Sequence, residues 1–281
     1  MTESKKLDRP ILQTSLDHPA PTDSECCSAP TEDLSFSIGE DIQLYCRFYC
    51  AAPDAPTIVY FYGWNESSDL LDLLATYFTA SGINVFLTAR RGFGRSEGTV
   101  SLSTLVSDSE PQFSQAIEWL QAKGYSGAVV VMGRSLGVIP ALEVVQNSQA
   151  MIKAMILESA FCSIIPFLDT ICPHLSVDGM LEEDCLSTLK KISKIKIPTM
   201  IFHGSRDGVV PVAQAEKLQA ASAARNKQFL IIPGAEHNTV WQVGGKLYFQ
   251  TIKGFIDTVC GINTWRQRRK KLKDTPRGEA S

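Results

Sequence analysis

Long apolar runs are missing from this 281-residue chain. The longest, such as AVVVM at 128–132, are far too short to cross a bilayer. The opening residues, MTESKKLDRPILQ, hold no sustained apolar region of the kind a secretory signal needs. Export is therefore not expected, the expected location is cytoplasmic, and the eight cysteines are expected to stay reduced. No Cys-x-x-Cys pair occurs and no metal-ligand spacing links Cys with His, so neither a metal nor any other cofactor is expected. Histidine is scarce, with four in the chain, which leaves few candidates for a general base.

Hydrophobic residues make up 44% and charged residues 20%, a balance that excludes bulk disorder. The net charge of −3 is unevenly spread: residues 262–281 carry seven Lys/Arg against two Asp/Glu. The run RQRRKKLK (266–273) reads as a solvated basic tail, with weak peripheral contact to an anionic membrane left open and no nucleic-acid partner expected. Residues 1–33, rich in Pro, Ser, Thr, Asp and Glu, read as a mobile leader in which Cys26-Cys27 are idle thiols.

From Leu34 the pattern becomes regular. LSFSIG and DIQLYCRFYC alternate apolar and polar residues, as two half-buried strands do around a turn at Gly39. Continuous apolar strands then alternate with helices: TIVYFY (57–62), INVFLTA (83–89), GAVVVM (127–132), IKAMILES (152–159), IPTMIFH (197–203) and KQFLIIP (227–233). This alternation predicts one α/β domain over 34–261, doubly wound around a mostly parallel sheet with antiparallel N-terminal edge strands. The mixed stretch 160–190, broken by Pro and Gly, reads as a small lid insertion whose apolar FCSIIPFL either lines an acyl pocket or covers the sheet edge. Asp178, Glu182, Glu183 and Asp184 within it read as ordinary surface charge.

G-x-S-x-G occurs twice, as GRSEG (94–98) and GRSLG (133–137). A reactive serine of this type sits on a tight strand-to-helix turn, with glycines letting strand and helix approach. GRSLG has an apolar strand directly before it and the helical pattern LGVIPALEVVQ after it. GRSEG is separated from its strand by RRGFG and followed by the β-branched, polar TVSLST. Ser135 is thus the candidate nucleophile. Ser96 is a loop residue, in a loop that Arg91 or Arg95 can brace.

A serine needs a histidine to take its proton and a carboxylate to orient that histidine. Elbows of this kind occur with the chain order Ser, acid, His. His18 lies in the leader, and His174 and His203 precede the acid, which leaves His237 in IIPGAEHNTVW. Asp207, in HGSRDGVVP after a strand, is the candidate acid, with Glu158 the runner-up. The oxyanion-binding N–H groups are assigned to Leu136 and to Trp64 or Asn65 in YGWNESS, Trp64 being preferred. Phe161 and Trp241 are candidate substrate contacts.

Together YGWNES, RRGFGRSEG, GRSLG, HGSRDGVVP and GAEHN resemble the α/β-hydrolase superfamily, and within it the BEM46-like and serine-aminopeptidase-like enzymes with small lids. The resemblance covers about residues 34–260. It departs where the usual His-Gly of the oxyanion loop is Tyr62-Gly63, and where an Asp usual before the R-G-[YF]-G loop gives way to Thr88-Ala89-Arg90. The resemblance implies hydrolysis of a small-molecule or acylated substrate, an ester or thioester, through an acyl-enzyme. An aminopeptidase-like amidase, a protein depalmitoylase and a non-catalytic binding protein are the alternatives.

Overall fold

A computed structural model describes residues 31–39, 41–64, 66–171 and 186–262. The leader to residue 30, Asn65, the middle of the insertion and the basic tail, with Cys26-Cys27, His18, His174 and the four insertion acids, lie outside the described residues. The strands are β1 (Thr31–Ile38), β2 (Ile42–Tyr49), β3 (Thr57–Phe61), β4 (Asn84–Leu87), β5 (Val129–Arg134), β6 (Ala154–Glu158), β7 (Thr199–Gly204) and β8 (Lys227–Ile232). The helices are α1 (Ser68–Ala80), α2 (Leu102–Ser107), α3 (Ser109–Ala122), α4 (Val138–Ser148), α5 (Ile164–Ile171), α6 (Thr188–Ile192), α7 (Val212–Ala221) and α8 (Val240–Cys260).

The eight strands form one sheet in the order β1-β2-β4-β3-β5-β6-β7-β8. β1 and β2 are antiparallel to their neighbours, and every other pairing is parallel. The central strands β3, β4, β5, β6 and β7 are buried throughout or nearly so, which is why their sequences run apolar without alternation. β1 begins at Thr31, three residues ahead of the expected Leu34. Polarity hid it, because its first acids are paired on an exposed strand: Glu32 meets Lys123 at 3.0 Å and Asp33 meets Arg47 at 3.3 Å.

Helices cover both faces. On one, Phe113, Ala116 and Leu120 of α3 join Val138, Ala141 and Val145 of α4 and Leu218 of α7. On the other, Leu71, Leu74 and Phe78 of α1 pack with Tyr248, Ile252 and Phe255 of α8. Each such side chain, once buried, contributes about 1.5–3 kcal/mol. The parallel register of β3, β5, β6 and β7 brings their carboxyl ends, at Phe61, Arg134, Glu158 and Gly204, to one edge of the sheet.

The stretch after GRSEG differs from its expectation. TVSLST is not wholly extended: Ser101 caps α2, its hydroxyl accepting the Thr104 N–H at 3.1 Å while Thr104 Oγ1 accepts the Ser101 N–H at 2.7 Å. This reciprocal capping box starts a helix that propensity alone disfavours. GRSEG itself remains a loop. Ser96 is buried, and its Oγ accepts the Tyr45 N–H at 2.9 Å, while the Glu97 N–H reaches the Gln43 carbonyl at 2.9 Å. The loop therefore continues the pairing of β2 beyond the short strand β4. Arg91 closes it with a bidentate pair to Asp108 at 2.7 and 2.8 Å. Ser96→Ala leaves the Tyr45 N–H unpaired and is expected to cost about 1–3 kcal/mol in urea unfolding.

Candidate functional site

β5 ends in Gly133-Arg134, and the chain turns at once through a single 3₁₀ turn, Ser135–Gly137, into α4. Ser135 has φ +49°, a left-handed conformation that a non-glycine residue adopts only under constraint. The constraint comes from its neighbours. A Cβ at residue 137 would lie 2.0 Å from the Phe61 carbonyl oxygen of β3, and one at residue 133 would lie 2.6 Å from both Ala141 Cβ and the Gly137 oxygen. The two glycines of the pentapeptide are therefore fixed by backbone contact across the elbow.

Ser135 is 2% exposed, and its hydroxyl lies 2.7 Å from His237 Nε2. His237 Nδ1 lies 2.8 Å from Asp207 Oδ2. An ionised carboxylate can only accept, so Nδ1 carries the hydrogen and Nε2 is left to accept from the Ser135 hydroxyl. Asp207 Oδ1 takes the N–H groups of Val209 and Val210 at 3.0 and 2.7 Å. Buried His203 lies with Nε2 2.8 Å from the Val210 oxygen and 3.3 Å from Asp207 Oδ2. Burial alone would raise the Asp207 pKa, but the hydrogen bonds from His203 and His237 outweigh it and hold the carboxyl below its usual range. The three predicted side chains thus form one continuous hydrogen-bonded relay, which is able to deprotonate a serine and stabilise the imidazolium that results.

The runner-up acid is elsewhere engaged. Glu158 accepts from Arg134 Nε at 2.9 Å and from the Tyr248 hydroxyl, and among the hydrogen bonds and ion pairs of the described residues none joins it to the His237 ring. Burial raises its pKa, against the pull of Arg134. Arg134, the second residue of GRSLG, is 1% exposed and also pairs with Glu66 at 2.7 Å. Its Nη2 donates to the His237 carbonyl at 3.1 Å and to Asn238 Oδ1 at 3.2 Å. Burial opposes the Arg134 charge, but the two carboxylates prevail and raise its pKa. Glu66 in turn accepts from the Gly63 N–H. One buried cation therefore ties the elbow, the histidine loop and the loop after β3 together. None of this network was legible beforehand, although a charged residue between Gly133 and Ser135 at the end of an apolar strand was the available signal.

Gly63 abuts Ser135, since a Cβ there would lie 3.3 Å from Ser135 Cβ. The Trp64 side chain packs on a cluster that includes Leu136, Ile139, Phe161, Phe167 and Val210. Phe161, a member of this cluster, is fully buried, stacks on Phe167 at 4.8 Å and borders a cavity of about 140 Å³. Phe167, in the FCSIIPFL stretch, has its ring 6.4 Å from the His237 ring and borders that cavity with Val209 and Pro166. Trp241 lies apart from the relay. It is buried against Tyr77 and Phe249 and lines a groove between α1 and α8 that none of Ser135, Asp207 and His237 borders.

Comparison with known proteins identifies the family of this chain. Residues 52–181 and 182–241 match the family described as serine aminopeptidase, S33. The chain belongs to that family. It is 27% identical over 245 residues to the α/β-hydrolase domain-containing protein WAV2 of Arabidopsis thaliana, covering 80% of this chain and 78% of WAV2. It is 29% identical over 218 residues to protein bem46 of Schizosaccharomyces pombe, covering 75% and 71%. Among solved structures, esterase Pf2001 of Pyrococcus furiosus superposes with a TM-score of 0.71 at 15% identity, covering 86% of this chain and 98% of that one. The fold is that of an α/β hydrolase. Among the described residues no cluster of His, Cys, Asp and Glu is arranged to hold a metal ion, and no helix is long and apolar enough to cross a membrane.

Removing Arg134 would strand two buried carboxylates. Arg134→Gln is expected to lower stability by about 3–5 kcal/mol in urea unfolding, far more than loss of an exposed ion pair would.

Proposed function

We propose that the protein is a serine hydrolase that cleaves carboxylic ester or thioester bonds through an acyl-enzyme. The relay from Ser135 through His237 to Asp207, at 2.7 and 2.8 Å, carries this reading. His237 Nε2 takes the proton as Ser135 Oγ attacks the substrate carbonyl carbon, and the negative charge gathers on the former carbonyl oxygen. The N–H groups of Leu136 and Trp64 receive that charge. His237 then protonates the departing alkoxide or thiolate, leaving an ester on Ser135. Water attacks this ester, its proton passes to His237, and collapse releases the acid and returns the proton to Ser135. The apolar residues Trp64, Leu136 and Phe167 favour an apolar acyl group over a charged one.

The name of the family supplies a second reading, hydrolysis of an aminoacyl amide. Both readings use the same relay and differ in the leaving group.

A fluorophosphonate probe is expected to label the wild-type protein and Ser96→Ala but neither Ser135→Ala nor His237→Ala. Normal labelling of Ser135→Ala, or none of the wild type, overturns the proposal. In Asp207→Asn the carboxylate that fixes the tautomer is gone, and turnover is expected to fall by about 10⁴-fold. A panel of p-nitrophenyl esters, acyl thioesters and aminoacyl amides separates the two readings. Turnover of amides without esters would favour the second.

A further inference from the structure

Arg90 stands outside the relay and outside the ion pairs described so far. It lies in the loop after β4 and is 7% exposed. Its guanidinium carbon sits 4.1 Å from the centre of the Tyr62 ring and 4.5 Å from that of Phe93. Nη2 donates to the Gly63 carbonyl, whereas Nε and Nη1 have no hydrogen-bond partner among the described residues. The adjacent Arg91 takes Asp108, and among the described residues no carboxylate pairs with Arg90. A buried cation without a counter-ion is costly. The two ring faces offset part of that cost. The hydrogen bond of Arg90 goes to a backbone carbonyl.

That carbonyl belongs to the peptide unit whose N–H is Trp64. The unit is planar and trans, as are all the described peptide bonds, so its oxygen and its hydrogen point in opposite directions. Pulling the Gly63 oxygen toward Arg90 therefore aims the Trp64 N–H away from it. The preceding unit is held as well, because the Gly63 N–H is engaged by Glu66. Both peptide units meet at Gly63, which abuts Ser135. A cation at the oxygen end of a peptide also draws electron density from its N–H and makes it a stronger donor. Tyr62 and Arg90 are two positions at which the chain departs from the pattern it resembles, and the two side chains stack on each other.

We propose that Arg90 is a positioning residue for the oxyanion hole. It fixes and polarises the Gly63–Trp64 peptide, so that the Trp64 N–H is set in advance to receive the charge on the reacting oxygen. This inference rests on the serine-hydrolase reading given above.

The test uses the full chain as wild type, R90M and F93L, with folding followed by circular dichroism. Two quantities are measured: the rate constant for labelling by a fluorophosphonate, and the inhibition constant of phenylboronic acid, which forms a tetrahedral adduct on the serine. In labelling, Ser135 Oγ displaces fluoride from phosphorus and its proton passes to His237. Deleting an oxyanion donor outright costs about 10²–10³ in rate, and misaiming one is expected to cost R90M about 10- to 100-fold. The boronic acid is expected to weaken by a similar factor, with the KM for p-nitrophenyl acetate within about twofold of wild type, since ground-state binding is not involved. Folded R90M that labels at the wild-type rate overturns the proposal. So does a slowed rate with unchanged boronate affinity, which would mark general loosening. If R90M does not fold, F93L decides: it strips one ring from the cation and is expected to slow labelling about 3- to 10-fold, and an unchanged rate overturns the proposal. A wild-type protein that does not label at all refutes the serine-hydrolase reading itself and this inference with it, without any change at residue 90.

Discussion

The site depends on one buried cation. Arg134 lies at the end of β5 with a carboxylate on either side, Glu66 from the loop after β3 and Glu158 from the end of β6. Charge removed from water in this way is costly unless it is paired and hydrogen-bonded. Arg134 meets that condition by donating also to the His237 carbonyl and to Asn238. The carboxylates are in turn held by tyrosines, Glu66 by Tyr60 and Glu158 by Tyr248 of α8. Three loops that are distant in sequence thus answer to one guanidinium. The residue before Ser135 holds these loops together.

Much of the fold was legible because the central strands are buried on both faces and the helices carry their own periodicity. The relay was legible for a different reason. The elbow needs a strand and a helix in immediate succession, and chain order then left one suitable histidine among four. The context that selected Ser135 over Ser96 was right about the strand, while the helix after GRSEG was hidden in TVSLST. A capping box, not propensity, starts that helix. Ser96 itself is spent on the Tyr45 N–H.

What could not be read was whatever rests on contacts between loops. Glu66 looks like a surface residue in YGWNESS, yet it is 1% exposed because Arg134 reaches it from another strand. Arg90 looks like one of a pair of loop arginines, and only the fold shows that Arg91 has a carboxylate while Arg90 has two rings and a carbonyl. Trp241 is close to His237 in sequence, but entry into α8 carries it to the α1 side. Phe167, seventy residues before His237 in the chain, comes close to its ring across the sheet edge. Neighbourhood along the chain is a poor guide to neighbourhood around a site built from loops.

The crowding at the elbow has a consequence for reading relatives of this chain. Gly133 and Gly137 are demanded by the Phe61 carbonyl and by Ala141, atoms that take no part in any reaction. A relative with another residue in place of Ser135 would meet the same walls and would still need both glycines to form this elbow. The glycines of the pentapeptide are thus a signature of ancestry and architecture. Under the function proposed above, whether a relative is an enzyme turns on the residue between them and on the histidine and aspartate that reach it.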